Sequence, residues 1–271
     1  MIGIFDSGLG GLTVFREIRR LMPQYDYLYL GDNARAPYGS RSFEIVYQFT
    51  LQAVQSLFNQ GCPLVILACN TASAKALRTI QQLDLPRIDA TKRVLGVIRP
   101  TVEAIDDLTT SKHIGILGTA GTVASNSYGI EIGRFHPHIH IESHACPMWV
   151  PLVENNEYLS EGADYFVQKE IEALLSKDDQ IDCIVLGCTH YPMLMEKIRK
   201  YTPPHVTIFS QGPHIAQSLS NYLQRHPEME RRCSKGGITR FQTTDSPERF
   251  IASASQFLHE PVDHCEMVSL L

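Results

Sequence analysis

No stretch of this chain stays apolar and uncharged over the roughly 18 residues needed to cross a bilayer, so no membrane partner is expected. An excess of positive charge is missing too. Against 24 Lys and Arg stand 29 Asp and Glu, a formal net charge of −5, which leaves no electrostatic footprint for nucleic acid. The densest basic group, Arg231-Arg232 with Lys235, reads as a solvated turn. The N-terminus lacks the basic stretch, apolar core and cleavage site of a secretory signal, and Met1-Ile2-Gly3-Ile4-Phe5 runs straight into a strand. The seven cysteines are odd in number and irregular in spacing, so a reducing, cytoplasmic setting is expected rather than a disulfide framework. Low-complexity linkers are absent as well. What remains is 271 residues, 44% hydrophobic and 20% charged, enough for one large globular domain or two small ones.

Strand-like and helix-like segments alternate along the whole chain. Strands are predicted over residues 1–5, 27–30, 94–97, 113–118, 139–143, 206–210 and 239–243, and in the runs ending at Cys69 and Cys188. Helices are predicted after the turn at 6–11, from Pro100, and over 42–60, 72–83, 121–132, 164–175, 193–201, 214–223 and 246–258. The helix at 42–60 is the clearest. Val46, Phe49, Ala53, Val54, Leu57 and Phe58 recur at spacings of three and four, and Gly61 follows at the C-cap side. Such alternation predicts an α/β fold with helices on both faces of parallel sheets. So many strands fit two sheets better than one.

Two cysteines stand at matching points of similar patterns. Leu64-Val65-Ile66-Leu67-Ala68-Cys69-Asn70-Thr71 and Cys183-Ile184-Val185-Leu186-Gly187-Cys188-Thr189-His190 are each an apolar run ending in a small residue, Cys and polar residues. Runs of this kind suit strands buried on both faces of a parallel sheet. Ligands in such sheets bind beyond the carboxyl ends of the strands, so both thiols should face a ligand crevice. A single such cysteine would be read as a small buried residue. A matched pair can remove a proton from one face of a carbon and return one to the other, which points to a racemase or epimerase. Cys62, Cys146, Cys183, Cys233 and Cys265 have no comparable company and are read as structural or incidental.

Other motifs are weaker. Asp6-Ser7-Gly8-Leu9-Gly10-Gly11 is a glycine-rich turn between a strand and a helix, able to present backbone N–H groups to a carboxylate, with Asp6 facing an ammonium group. It is not G-x-G-x-x-G and no P-loop lysine follows. Pro37-Tyr38-Gly39-Ser40 is a second turn with exposed donors. Cys183, Cys188 and His190 lack zinc-site spacing. His136, His138, His140 and His144 form a cluster in which 138 and 140 could share a strand face and hold a divalent ion weakly, but exposed edge-strand histidines are the better reading. No metal site is expected.

Taken together, Phe5-Asp6-Ser7-Gly8-x-Gly10-Gly11, Gly31-Asp32 with Pro37-Tyr38-Gly39, Ala68-Cys69-Asn70-Thr71-Ala72 and Gly187-Cys188-Thr189-His190-Tyr191-Pro192 resemble bacterial glutamate racemases. The segment Gly236-Gly237…Phe241-Thr243…Phe250 is similar as well. Related aspartate racemases also pair two cysteines but carry Glu where His190 stands, which favours glutamate. The resemblance implies two similar doubly wound parallel-sheet domains facing each other across an active-site cleft. One would comprise residues 1–97 plus 209–271 and carry Cys69, and the other residues 98–208 and carry Cys188. It further implies a reaction without pyridoxal phosphate or other cofactor, with Cys69 acting on D-glutamate and Cys188 on L-glutamate.

Asp6 and His190 would assist the two thiols, and Glu154 would orient His190, although a helix-surface carboxylate is an equal reading of Glu154. Substrate would be held by Asp6, Ser7, Tyr38, Gly39, Asn70, Thr71, Thr189 and His190. The product would feed peptidoglycan synthesis, and a homodimer is left open. A racemase for aspartate or another acidic amino acid, or an amino-acid-binding or regulatory module with inert thiols, are the alternatives. The chain departs from the family pattern at Ser210-Gln211-Gly212-Pro213, where an Asp-containing stretch is expected, and at Gly121-Thr122-Val123. Neither departure is expected to touch the thiols.

Overall fold

A computed structural model describes residues 1–270 of the chain. In chain order its strands are β1 (Ile2–Asp6), β2 (Tyr27–Gly31), β3 (Leu64–Leu67), β4 (Arg93–Gly96), β5 (His113–Gly118), β6 (His140–Ala145), β7 (Cys183–Gly187), β8 (Thr207–Phe209), β9 (Thr239–Thr243) and β10 (Glu266–Met267). They form a six-stranded sheet ordered β10-β9-β2-β1-β3-β4 and a four-stranded sheet ordered β6-β5-β7-β8. Every pairing is parallel.

β1, β2, β3 and β7 are buried along their whole length, which is why they read as unbroken apolar runs instead of alternating ones. The register lines up their ends: Phe5 pairs with Leu67 and Asp6 with Gly31 in one sheet, and Gly118 pairs with Gly187 in the other. Ser7 and Asp32 therefore leave the first sheet at its carboxyl edge, with Cys69 one residue beyond Ala68. Thr119 and Cys188 leave the second sheet likewise. Each sheet thus offers a cysteine where a parallel sheet binds ligands.

The helix Phe43–Asn59 covers one face of the larger sheet. Ser42 caps it by accepting from the Ile45 N–H, and Val46, Ala53, Val54, Leu57 and Phe58 are buried. Burying a side chain such as Leu57 contributes about 2 kcal/mol. Gly61 then turns the chain at φ +86°, a conformation that costs glycine least. The helix Gly212–Arg225 packs against Leu12–Leu21, so the chain crosses back to the larger sheet after β8.

Three helices depart from their periodic pattern. The span predicted as 72–83 is helical from Asn70 to Lys75 and again from Leu77 to Thr79, then takes a π-helical turn at Ile80–Asp84 before Leu85–Ile88. Pro86 brings no N–H to the ladder there, and a wider turn accommodates the missing bond. The span 121–132 is two helices, Ala120–Ala124 and Ser127–Phe135, separated by Asn126 at φ +51°. Asn tolerates that left-handed conformation better than most residues. The span 193–201 begins as a 3-10 turn at Tyr191–Leu194, which holds Pro192, before Met195–Tyr201. No helix among the described residues is long and apolar enough to cross a membrane.

Candidate active site

A cavity of about 410 Å³ opens between the carboxyl edges of the two sheets, and both Cys69 and Cys188 line it. Ser7, Tyr38, Gly39, Asn70, Thr71, Glu154, Thr189 and His190 line it too. Of the predicted catalytic and substrate-binding residues, only Asp6 is not on its wall.

On one side, the chain leaves β3 and turns at Cys69 into the helix Asn70–Lys75. The Cys69 Sγ caps this helix by accepting from the Ala72 N–H at 3.4 Å, and it donates to Ser7 Oγ at 3.4 Å. Burial pushes the Cys69 thiol up to about 12, and the Asp6 carboxyl adds to that, outweighing the hydrogen bonds shared with Ser7 and Ala72. Cys69 is therefore a thiol at neutral pH, ready to give a proton. Thr71 Oγ1 lies 2.9 Å from Thr119 Oγ1, tying this side to the turn after β5. Tyr38 faces the cavity with its hydroxyl donated to Asp32. Gly39 is a close approach: a Cβ there would sit 2.8 Å from the Thr119 Cβ.

On the other side, Cys188 Sγ lies 3.9 Å from His190 Nδ1, and His190 Nε2 is hydrogen-bonded to Glu154 Oε1. Burial alone would push the imidazole toward its neutral form. The contacts with Cys188 and Glu154 outweigh it, so His190 is held well above the usual histidine range. Glu154 runs the opposite way: burial favours its acid, but the hydrogen bond from His190 holds its carboxyl below the usual range. The pair is an imidazolium and a carboxylate. The glycine-rich turn of the larger sheet reaches it, since a Cβ on Gly10 would lie 2.4 Å from His190 Nδ1 and 2.5 Å from Thr189 Oγ1. Thr13 Oγ1 donates to the Thr189 carbonyl at 2.9 Å across the same contact.

Several expectations need qualification by the structure. Asp6 is not among the side chains that line the cavity. It is fully buried behind the cavity wall, accepting from the Gly8 N–H at 2.9 Å and facing Thr189 Oγ1 at 3.5 Å, and burial raises its carboxyl pKa. Cys146, read as structural, lines the cavity, with its thiol pushed far up by burial. Ser210–Pro213 is not remote from the thiols either: it borders a smaller cavity of about 180 Å³ that Cys188 also lines. Thr119 was missed, though its place just past a parallel strand ending in Gly118 was a readable signal.

The histidine cluster does not act as one group. β6 begins at His140, so His138 lies before the strand and shares no strand face with it. His138 Nε2 and Lys112 Nζ sit on Asp106 Oδ1 at 2.7 and 2.9 Å, His113 Nδ1 on Asp178 Oδ2 at 2.7 Å, and His144 on Glu170. Among the described residues Asp106, His136 and His138, and His113, His140 and Asp178, are close enough to share an ion. Neither trio lines the cavity, and both carboxylates already hold cationic or N–H partners.

The fold and the paired thiols define a class, a two-sheet α/β enzyme with one thiol from each sheet in one cavity. A family described as Asp/Glu/Hydantoin racemase matches residues 5–217, and the chain belongs to it. It is an amino-acid racemase, an isomerase. It is 40% identical to the glutamate racemase of Paracoccus denitrificans (strain Pd 1222), over 96% of this chain and 97% of the other. A glutamate racemase isoform from Bacillus anthracis superposes with a TM-score of 0.90 at 34% identity, covering 100% of this chain and 97% of that one. The glutamate racemase of Francisella tularensis, solved in complex with D-glutamate, has a TM-score of 0.87 at 31% identity, covering 99% and 97%.

Proposed function

We propose that this protein is a glutamate racemase that needs no cofactor and interconverts L- and D-glutamate with two cysteines, supplying D-glutamate for peptidoglycan synthesis. The observation that carries the reading is the shared cavity, to which the larger sheet contributes Cys69 and the smaller one Cys188. A thiolate on one side takes the α-proton while a thiol on the other delivers one to the opposite face. The α-carbon is inverted, and the net change is one proton moved from one sulfur to the other.

The resting proton distribution suits this. Cys69 enters as the thiol. Cys188 has an imidazolium within 3.9 Å, the kind of charge a thiolate needs beside it. Removal of the proton from L-glutamate by Cys188 and delivery by Cys69 gives the D enantiomer, and the return reaction uses the thiols in reverse. Ser7, Tyr38, Gly39, Asn70, Thr71, Thr189 and His190 hold the ammonium and carboxylates. Asp6 acts from behind, as a buried carboxyl beside Cys69 and Thr189.

We divide the chain accordingly, residues 1–97 and 209–271 supplying Cys69 and residues 98–208 supplying Cys188. Circular dichroism of L- and D-glutamate and L- and D-aspartate incubated with the enzyme tests the substrate. Inversion of glutamate well above aspartate is expected. Tight binding of glutamate without inversion would instead favour a binding module with inert thiols.

A further inference from the structure

Gln211 follows β8 in the stretch that departs from the family pattern, and it is 4% exposed. Its amide meets side chains from three other elements. Nε2 donates to Thr101 Oγ1 at 2.8 Å and to the Tyr128 hydroxyl, while Oε1 accepts from Asn70 Nδ2 at 2.9 Å. Tyr128 in turn donates its hydroxyl to Asn70 Oδ1 at 2.7 Å, and Thr101 donates its own to the Val97 carbonyl at 2.8 Å.

These bonds are consistent in one direction only. Thr101 has committed its hydrogen to Val97 and Tyr128 has committed its hydrogen to Asn70, so both must accept from Gln211. Both Nε2 hydrogens of Gln211 are then used, and its oxygen faces Asn70. One Asn70 Nδ2 hydrogen is taken by Gln211, and the other remains. Flipping either amide would set donor against donor and acceptor against acceptor inside a buried site, at the cost of leaving polar groups unpaired. Asn70 lines the cavity beside Cys69. Asn70 follows β3 of the larger sheet, whereas Thr101 and Tyr128 precede and follow β5 of the smaller one. The network therefore also joins the two halves.

We infer that Gln211 is a positioning residue for this reaction: it fixes the rotamer and amide orientation of Asn70, so that a single N–H donor is offered to a carboxylate of the substrate. The inference rests on the racemase reading above. Gln211 touches neither thiol through this network, so its loss should weaken substrate binding more than it slows proton transfer.

The experiment is a mutant cycle of Gln211→Leu and Asn70→Ala, read as KM and kcat for racemisation and as the Kd of D-glutamate by calorimetry. Gln211→Leu is expected to raise KM and Kd about tenfold while kcat changes less than about threefold. The double variant should be no worse than Asn70→Ala alone, because Gln211 acts through Asn70. Tyr128→Phe, which deletes one hydroxyl, should shift KM in the same sense and be masked by Asn70→Ala in the same way. It serves where Gln211→Leu folds poorly.

Penalties that multiply in the double variant, or a Gln211→Leu enzyme with wild-type KM and Kd, would overturn the inference. Wild-type turnover separates this from failure of the substrate reading. An enzyme that inverts aspartate in place of glutamate refutes glutamate as substrate, and the same cycle is then read on aspartate.

Discussion

Replacing Glu154 with Gln keeps the shape and the acceptor oxygen facing His190 Nε2 but removes the charge. His190 gains its raised pKa against burial, through Cys188 and Glu154, so losing the carboxylate should let the imidazole fall back toward neutrality. Breaking a fully buried pair costs ~3–5 kcal/mol. Glu154 is 28% exposed at its side chain, against 6% for His190, so solvent screens part of this and about 1–2 kcal/mol is the reasonable scale. The His190 pKa should therefore fall in the variant.

The sign follows from linkage. A raised His190 stabilises the fold fully below its ordinary value of 6.5 and loses this as pH rises through its folded value. A lowered Glu154 stabilises above its ordinary 4.5 and loses this as pH falls through its own folded value. The pair thus contributes most between 4.5 and 6.5. In the Gln variant the alkaline limb of kcat/KM against pH should move to lower pH, so the loss relative to wild type is small at pH 6, grows as pH rises and approaches roughly tenfold only above the wild-type limb. L- and D-glutamate have equal free energy, so kcat/KM must drop equally in both directions, which is an internal control. Urea denaturation should show the stability gap to wild type shrinking as pH rises. An alkaline limb that stays in place in the variant would refute the assignment of an imidazolium beside Cys188.

Cys69→Ala and Cys188→Ala should each lower racemisation at least a thousandfold in both directions while the circular dichroism spectrum of the fold is retained; near-full activity in either would end the two-thiol reading. Racemisation of L-glutamate in deuterated water should place solvent deuterium at the α-carbon of the D-glutamate formed, measured by mass spectrometry, whereas full retention of the original hydrogen would exclude exchange through separate thiols. Gly10→Ala should cost about 1–3 kcal/mol in thermal stability and most of the activity, since its new methyl would lie 2.4 Å from His190 Nδ1 and must displace it. Wild-type kinetics in that variant would mean the turn after β1 does not hold His190.

How much of this was legible in the sequence depended on whether a residue's reason for being there is local. β1, β3 and β7 carry their burial in their own composition, so their apolar runs located both sheets and both thiols. Helix Phe43–Asn59 likewise writes its buried face as a period of three and four. The split at Asn126 and the π-turn near Pro86 were weaker, because one left-handed residue or one missing N–H does not disturb a hydrophobic period. The burial of Asp6 was not legible, since the Gly8 N–H that it accepts from is a backbone group that no motif spells out. Gln211 is the limiting case. Its partners Asn70, Thr101 and Tyr128 lie 141, 110 and 83 residues away, and nothing in the residues around it marks it as more than a helix-flanking amide. Groups whose reason for being there is to orient another side chain across two sheets become visible only once both sheets are folded against each other. A departure from a family pattern at such a position therefore deserves a structural test before it is set aside as peripheral.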